Sequence, residues 1–392
     1  MNPATRELLL ANGVGVAIHP MPGRTGAAAA IAWRAGSRAE RAGESGFAHL
    51  AEHLLFPDDP HDLAAFDATG GQLNAWSGRE HSLFHLNVPV AELPDALARL
   101  AARLARGADL VTAGGFARER EAIRHEGLAE GGSALELALA RCLGIAAPAP
   151  VDALSADATP TCLQRFLARE LRGPALRVGV AGDVDPGAVA AACAPLARLP
   201  ADASATPGHA WHWHGGVHEY LTDGGPPGLL WLLPAPLAGS AAAGALRLAE
   251  RALCGGLAAP LFRELRARGL AYGVHSSIET WSDGGYWALQ VVCPPGMTAA
   301  VAALVEATLE RAAALGLAGD RFAAARAALS GEAQLVRDDP AALAERLALG
   351  TAAEDTFTDD PAAVRVALGN AWARHARFVT GKTPQPTLRA LP

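Results

Sequence analysis

The sequence predicts an α+β fold in two similar halves, and three observations carry that prediction. The chain has 392 residues, more than the roughly 100 to 200 of a typical domain. Strand and helix patterns alternate irregularly, which favours α+β over a doubly wound parallel sheet. After a loss of periodicity between Leu199 and Gly216, the order of strands and helices starts again.

Taken in order, RELLLANGVGVAIHP (6–20) reads as two short strands around the Asn12-Gly13 turn, and AAAAIAWRAGS as a third strand ending at Ser37. ERAGESGFAHLAEHLLF (40–56) then switches to helical spacing, with Phe47, Leu50 and Leu54 on one stripe. A helix end at Gly70-Gly71 leads into a hairpin that turns near Ser77-Gly78. Residues 91–107 and 116–130 form two amphipathic helices, and ALRVGVAGDVDPGAVAAACAPLARL adds a strand and a helix. Pro, Gly, Ala and Ser then interrupt all pattern, which places a linker at 201–216 between halves 1–200 and 217–392. The second half repeats the order: strand GLLWLLPAP, an alanine-rich helix from Ser240 to Ala252, and a helix ending RELRARG. Strands AYGVHSSIET and GYWALQVVC follow, then helices over 298–315 and 320–335 that echo the earlier pair. This is an internal duplication with copies far longer than the ~20 to 50 residues of a solenoid repeat. TGKTPQPTLRALP reads as an irregular tail.

Composition narrows the function. Hydrophobic residues make up 51% of the chain but aromatic residues only 5%; alanine fills the difference and favours helices. No run approaches ~18 strongly apolar residues, so no membrane span is expected. The first residues carry charge without a positive segment followed by a long apolar one, so a cytoplasmic protein is expected rather than a secreted one. Cys142, Cys162, Cys193, Cys254 and Cys293 are scattered and never paired as CxxC, which argues against a disulfide framework or a thiolate zinc site. They are expected as buried small apolar residues. A net charge of -7 leaves no basic patch, so nucleic acid is not an expected partner.

Within HLAEH, His49 and His53 lie four apart, so on a helix both imidazoles reach one point. Glu52 stands on the edge of the same face. Two neutral nitrogen donors with a carboxylate placed to take a proton from water suit a catalytic metal site. The order His-x-x-Glu-His is that of the inverzincins. Such a site needs a third protein donor. In the helix 116–130, Glu119 and Glu126 are seven apart and share a face; one of them can ligate the ion while the other orients a ligand or the substrate. Glu121 and Glu130 read as its solvated side. His81 and His85 fall in a strand and read as packing or rim residues, and His212 and His214 fall in the linker.

GFAHLAEHLLF, GGQLNAWSGREHSLFHLNVP, the Glu119-Arg120 to Glu126 run, GGLAAPLFRELRARGLAYGVHSS and SDGGYWALQVV occur in order across both halves. Together they resemble the M16 family of zinc metallopeptidases, the group of pitrilysin, insulin-degrading enzyme and mitochondrial processing peptidase. The resemblance implies one zinc ion per chain, held by His49, His53 and Glu126, with Glu52 as general base and Glu119 as a supporting carboxylate. It implies that Gly71, Asn74 and Ala75 lead into an edge strand that holds a peptide, and that Arg266 and Tyr272 hold the substrate backbone or the oxyanion. Two departures stand out. The family separates that Arg and Tyr by one residue more, so Tyr272 is better supported than Arg266, and Arg268 stays open. The stretch GIAAPAPVDALSADATP looks abbreviated. The resemblance also implies two halves that are each a mixed or antiparallel sheet covered by helices. It implies a chamber completed by a second subunit, a copy or another M16-like chain, and hydrolysis of short or unfolded peptides. The alternative it leaves is a non-catalytic or peptide-binding partner subunit. The REREAIRHE and GREH segments also resemble the peptidase of pyrroloquinoline quinone biosynthesis, which makes a small precursor peptide one candidate substrate.

Overall fold

The computed structural model describes residues 4–381 except 58, 131–133, 145–154, 156, 204–211, 217, 223–225, 257, 295 and 352–356. The chain opens with strands β1 (Arg6–Leu9), β2 (Gly15–Pro20) and β3 (Gly26–Trp33), then helices α1 (Phe47–Leu55) and α2 (Pro60–Ala68). The hairpin β4 (Gln72–Ser77) and β5 (Ser82–Pro89) precedes helices α3 (Leu93–Arg106), α4 (Ala113–Glu130), α5 (Ala134–Leu143) and α6 (Pro160–Glu170). Next come β6 (Leu176–Gly182), α7 (Pro186–Cys193), β7 (His218–Thr222), β8 (Gly228–Ala235), α8 (Ala241–Leu253) and α9 (Pro260–Ala267). The chain ends through β9 (Gly273–Trp281), β10 (Gly284–Val292), α10 (Thr298–Leu315), α11 (Gly319–Asp338), α12 (Pro340–Leu349), α13 (Pro361–Trp372) and β11 (Ala376–Gly381).

These elements build two α+β units whose sheets repeat one strand order. The first sheet runs β1-β2-β6-β3-β5-β4 and the second β7-β11-β8-β10-β9. In each, the last strand to join lies parallel to the first of the repeated set, β6 beside β2 and β11 beside β7, and the other neighbours are antiparallel. The expected duplication is therefore visible in topology, although the sheets are mixed rather than purely antiparallel.

A single cut at 201–216 does not divide the chain. One unit comprises Met1–Glu126, Val151–His209 and Gln334–Ala352, and the other Gly127–Pro150, Ala210–Ala333 and Ala353–Pro392. The physical reason is that a sheet has two faces to cover. In the first unit, Ile31, Trp33, Phe84 and Leu86 face a core shared with α1, α3 and α6. The opposite face carries Ala17, Ala28, Ala30, Ala32 and Ala181 against Leu343, Ala344, Leu347 and Ala348 of α12, a helix from late in the sequence. Small side chains there let α12 approach the sheet backbone. A Cβ built on Gly179 of β6 would meet the Ala344 carbonyl oxygen at 2.1 Å, so glycine is required. In the second unit, Leu230, Leu232, Ala288 and Phe378 pack on Ala138, Leu139 and Cys142 of α5, a helix from early in the sequence.

The patterns read from sequence do not predict α5, α6, α12 or α13. Three of these carry a start signal of a capping side chain followed by proline: Thr159 bonds the Cys162 N–H, Asp339 those of Ala341 and Ala342, and Asp360 that of Ala362. Alanine marks no clear stripe, so the amphipathic signal is weak where the capping signal is strong. The third strand ends at Trp33, short of Ser37, because Ser37–Ala39 tighten into a 3-10 turn. Four cysteines are buried as expected, but Cys162 is half-buried in the first turn of α6. Thr380 and Gly381 of the expected tail belong to β11, and the remainder lies outside the described residues. No helix among the described residues is long and apolar enough to cross a membrane.

Candidate metal centre

Helix α1 exists because Phe47, Leu50, Ala51, Leu54 and Leu55 bury one broad face. His49 and His53 occupy the strip that remains, both half-buried. The helix stops at Phe56, whose extended backbone fits the position before Pro57. Helix α4, anchored in the same core by Phe116 and Ile123, brings Glu119 and Glu126 to that strip.

Three donor atoms converge. His49 Nε2 and His53 Nε2 stand 3.1 Å apart, and Glu126 Oε2 lies 3.6 Å from each. Among the described residues this is the one group of three or more such side chains close enough to share an ion. Donors on a tetrahedral zinc with bonds of roughly 2.0–2.2 Å lie about 3.3–3.6 Å apart; the two spacings to Glu126, 3.6 Å each, fall in that range, and the 3.1 Å between the imidazoles falls just short of it.

The protonation pattern fits as well. His53 Nδ1 lies 3.2 Å from Glu119 Oε2; the tautomer that donates to a carboxylate there is the one whose Nε2 can ligate. Glu119 Oε1 in turn accepts from Arg118 Nε at 2.7 Å. His49 is held below the ordinary imidazole range by burial and by the His53 ring beside it, against the pull of Glu126. Neutral imidazole is the form that ligates. Glu52 Oε2 lies 4.0 Å from His49 Nε2. Its carboxyl is pushed up by burial and by the Glu126 charge, with His53 opposing, which moves it toward the working range of a general base.

Because Glu119 contacts the His53 ring at Nδ1, Glu119→Gln is expected to weaken zinc binding by about 10- to 100-fold. Competition with a chelating dye measures this. An unchanged affinity would remove Glu119 from the site's support.

The hairpin beside α1 carries the expected peptide-facing residues. Strand β4 is the edge of its sheet, and Ser77 Oγ at its end donates to the Ala48 carbonyl of α1 at 3.4 Å. Asn74 faces solvent opposite His85, and its Oδ1 accepts the Ala75 N–H at 2.9 Å. Gly71 enters the strand so close to β5 that a Cβ would meet Val88 Cγ1 at 2.5 Å.

Tyr272 and Arg266 belong to the other unit. Tyr272 is 77% exposed just before β9, where its N–H donates to the Val292 carbonyl. Arg266 stands in the last turn of α9 with its guanidinium 5.9 Å from the Phe262 ring centre, and Arg268 pairs with Glu264 at 2.9 Å. Of the linker, 204–211 lie outside the described residues. The His214 N–H donates to the Cys142 carbonyl at 2.7 Å, which ties that segment to α5. The abbreviated stretch after α5 also lies largely outside the described residues.

The second unit repeats the metal helix without its donors. Helix α8 follows β8 as α1 follows β3, and Leu248-Ala249-Glu250-Arg251 reads against Leu50-Ala51-Glu52-His53. Arginines 247 and 251 stand in the sequence where the first unit has His49 and His53. Sequence reasoning did not single out Glu40 and Arg103, which bond the two ends of α1. No motif marks either; only the fold brings them there.

Comparison with known proteins agrees with the duplication. The family profile described as insulinase (peptidase family M16) matches residues 16–126, and that of the peptidase M16 inactive domain matches 157–329. A Mycobacterium tuberculosis protein named as an uncharacterized zinc protease is 28% identical over 367 residues, covering 88% of this chain and 83% of its own. A probable mitochondrial-processing peptidase subunit beta of Schizosaccharomyces pombe is 33% identical over 129 residues, 32% of this chain and 28% of its own. A Helicobacter pylori protease shares the fold with a TM-score of 0.83 at 18% identity, over 97% of this chain and 100% of that one.

Proposed function

The chain belongs to the M16 peptidase family, and from that premise we propose that it is a zinc-dependent endopeptidase acting on short or unfolded peptides. One observation carries the reading: two imidazole nitrogens and a carboxylate oxygen converge within 4.8 Å of one another, beside the buried Glu52. His49, His53 and Glu126 would hold a zinc ion, which when bound would supply the Lewis acidity that lowers the pKa of a water and polarises the scissile carbonyl. Glu52 takes the proton of the attacking water and returns it to the leaving amine. Glu119, beside His53 Nδ1, favours the tautomer whose Nε2 can ligate. The free edge of β4, at Gly71, Asn74 and Ala75, receives the peptide as an added strand. Tyr272 and Arg266 are candidates for steadying the oxyanion on the family resemblance alone.

A second subunit completes the peptide chamber, either a copy of this chain or another M16-like chain. The likeness to a protein named as a peptidase subunit supports the second form. A precursor peptide of the pyrroloquinoline quinone type is one candidate substrate, supported by the REREAIRHE and GREH segments. The reading as a non-catalytic partner subunit needs broken donors. The inactive-domain match at 157–329 leaves His49, Glu52, His53 and Glu126 untouched.

The test is metal analysis of the purified chain followed by incubation with a peptide library and mass spectrometry. About one zinc per chain is expected, with cleavage that a chelator stops and added zinc restores. Cleavage that survives chelation, or a chain that takes up no zinc, would overturn the proposal.

A further inference from the structure

Helix α1 lacks local capping. Its N-cap is Gly46, in the left-handed region at φ 80°, with no side chain to offer the first-turn N–H groups. Glu40, six residues upstream, takes that place: Oε2 accepts from the Gly46 N–H at 3.0 Å and Oε1 from the Ala48 N–H at 2.8 Å. The Phe47 N–H goes to the Glu44 carbonyl at 3.0 Å. The Glu44 side chain is itself gripped by the Arg169 guanidinium through two bonds of 2.8 and 2.7 Å. At the other end, Arg103 of α3 donates from Nη2 to the Leu54 and Phe56 carbonyls at 3.0 and 3.1 Å. Each charge has the sign that the helix dipole favours at its end, and each satisfies backbone groups a helix cannot satisfy itself.

The consequence is functional because α1 is short. His49 is the third residue of a nine-residue helix and His53 the seventh, so fraying of one turn at either end displaces a donor. We propose that Glu40 and Arg103 are positioning residues for the metal site, a carboxylate and a guanidinium that clamp the two ends of the donor helix. Their bonds go to the backbone that carries the donors. The inference rests on the metal reading above.

The experiment measures zinc affinity by chelator competition in the full chain at pH 8, above the value of about 7 to which burial lifts Glu40. Glu40→Gln and Arg103→Met are compared with Arg177→Gln, which loses the Glu7 ion pair and the bond to the Leu347 carbonyl on the far side of the sheet. The first two variants are expected to bind zinc about tenfold more weakly, with faster amide exchange across residues 47–55; the control is expected to lose thermal stability but stay within about twofold of wild-type affinity. Arg103→Lys, which keeps a donor cation, is expected to recover most of the loss. Glu40→Asp serves if the glutamine variant does not fold, and is expected to weaken binding by an intermediate factor. Wild-type affinity in both Glu40→Gln and Arg103→Met, or equal losses in the control, would overturn the clamp. A wild-type chain that takes up no zinc would instead sink the peptidase reading. The clamp would then stand or fall on amide exchange in the variants, with unchanged exchange overturning it.

Discussion

Replacing Glu52 with glutamine is expected to leave zinc bound and to lower the turnover of peptide by about 10²- to 10⁴-fold, the range general bases contribute. The side chain is 12% exposed, its oxygen is 4.0 Å from His49 Nε2, and it is not one of the three converging donors. Glutamine matches it in volume, so the packing of α1 should hold while the capacity to take a proton is lost. The measurement pairs zinc content with kcat and KM on a peptide identified by library screening. Bound zinc, a wild-type KM and a collapsed kcat are the expected set. A variant turning over within about tenfold of wild type would make some other group the base.

The second large effect is on stability. Gly179→Val is expected to cost about 3 kcal/mol or more, a large share of the roughly 5–15 kcal/mol that holds a domain together. The added Cβ would stand 2.1 Å from the Ala344 carbonyl oxygen and 2.5 Å from the Ala348 nitrogen, both backbone atoms of α12 that cannot rotate away. Helix and sheet must then separate along the whole alanine-lined face. Urea denaturation reads the change in midpoint. Gly331→Ala, in a helix with nothing within 4 Å of the new atom, is the contrast and should stabilise slightly. A Gly179→Val midpoint equal to wild type would mean that α12 does not pack there in solution.

The sequence states the local part of this molecule plainly. Phe47, Leu50 and Leu54 mark α1 by their spacing, and the same spacing sets the rings of His49 and His53 side by side, edge to face, because neighbours on a helix face are set by three or four residues of chain. The seven-residue interval from Glu119 to Glu126 likewise puts both on one side of α4. Which of the two meets Nδ1 and which meets Nε2 depends on how α4 lies against α1, and spacing is silent about that; the contacts place Glu119 at Nδ1 of His53 and Glu126 between the two Nε2 atoms. Glu40 and Arg103 were illegible for a related reason, since a side chain that caps another element's backbone leaves no periodic trace. By itself the sequence determined the α+β class, the repeated halves and the helix that presents two imidazoles and a carboxylate. Only the tertiary structure decided that α5 and α12 cover sheets formed mostly by the opposite part of the chain, and how the ends of α1 are held. Periodicity records contacts made within a few residues, whereas covering a second sheet face is settled by which distant surface fits it.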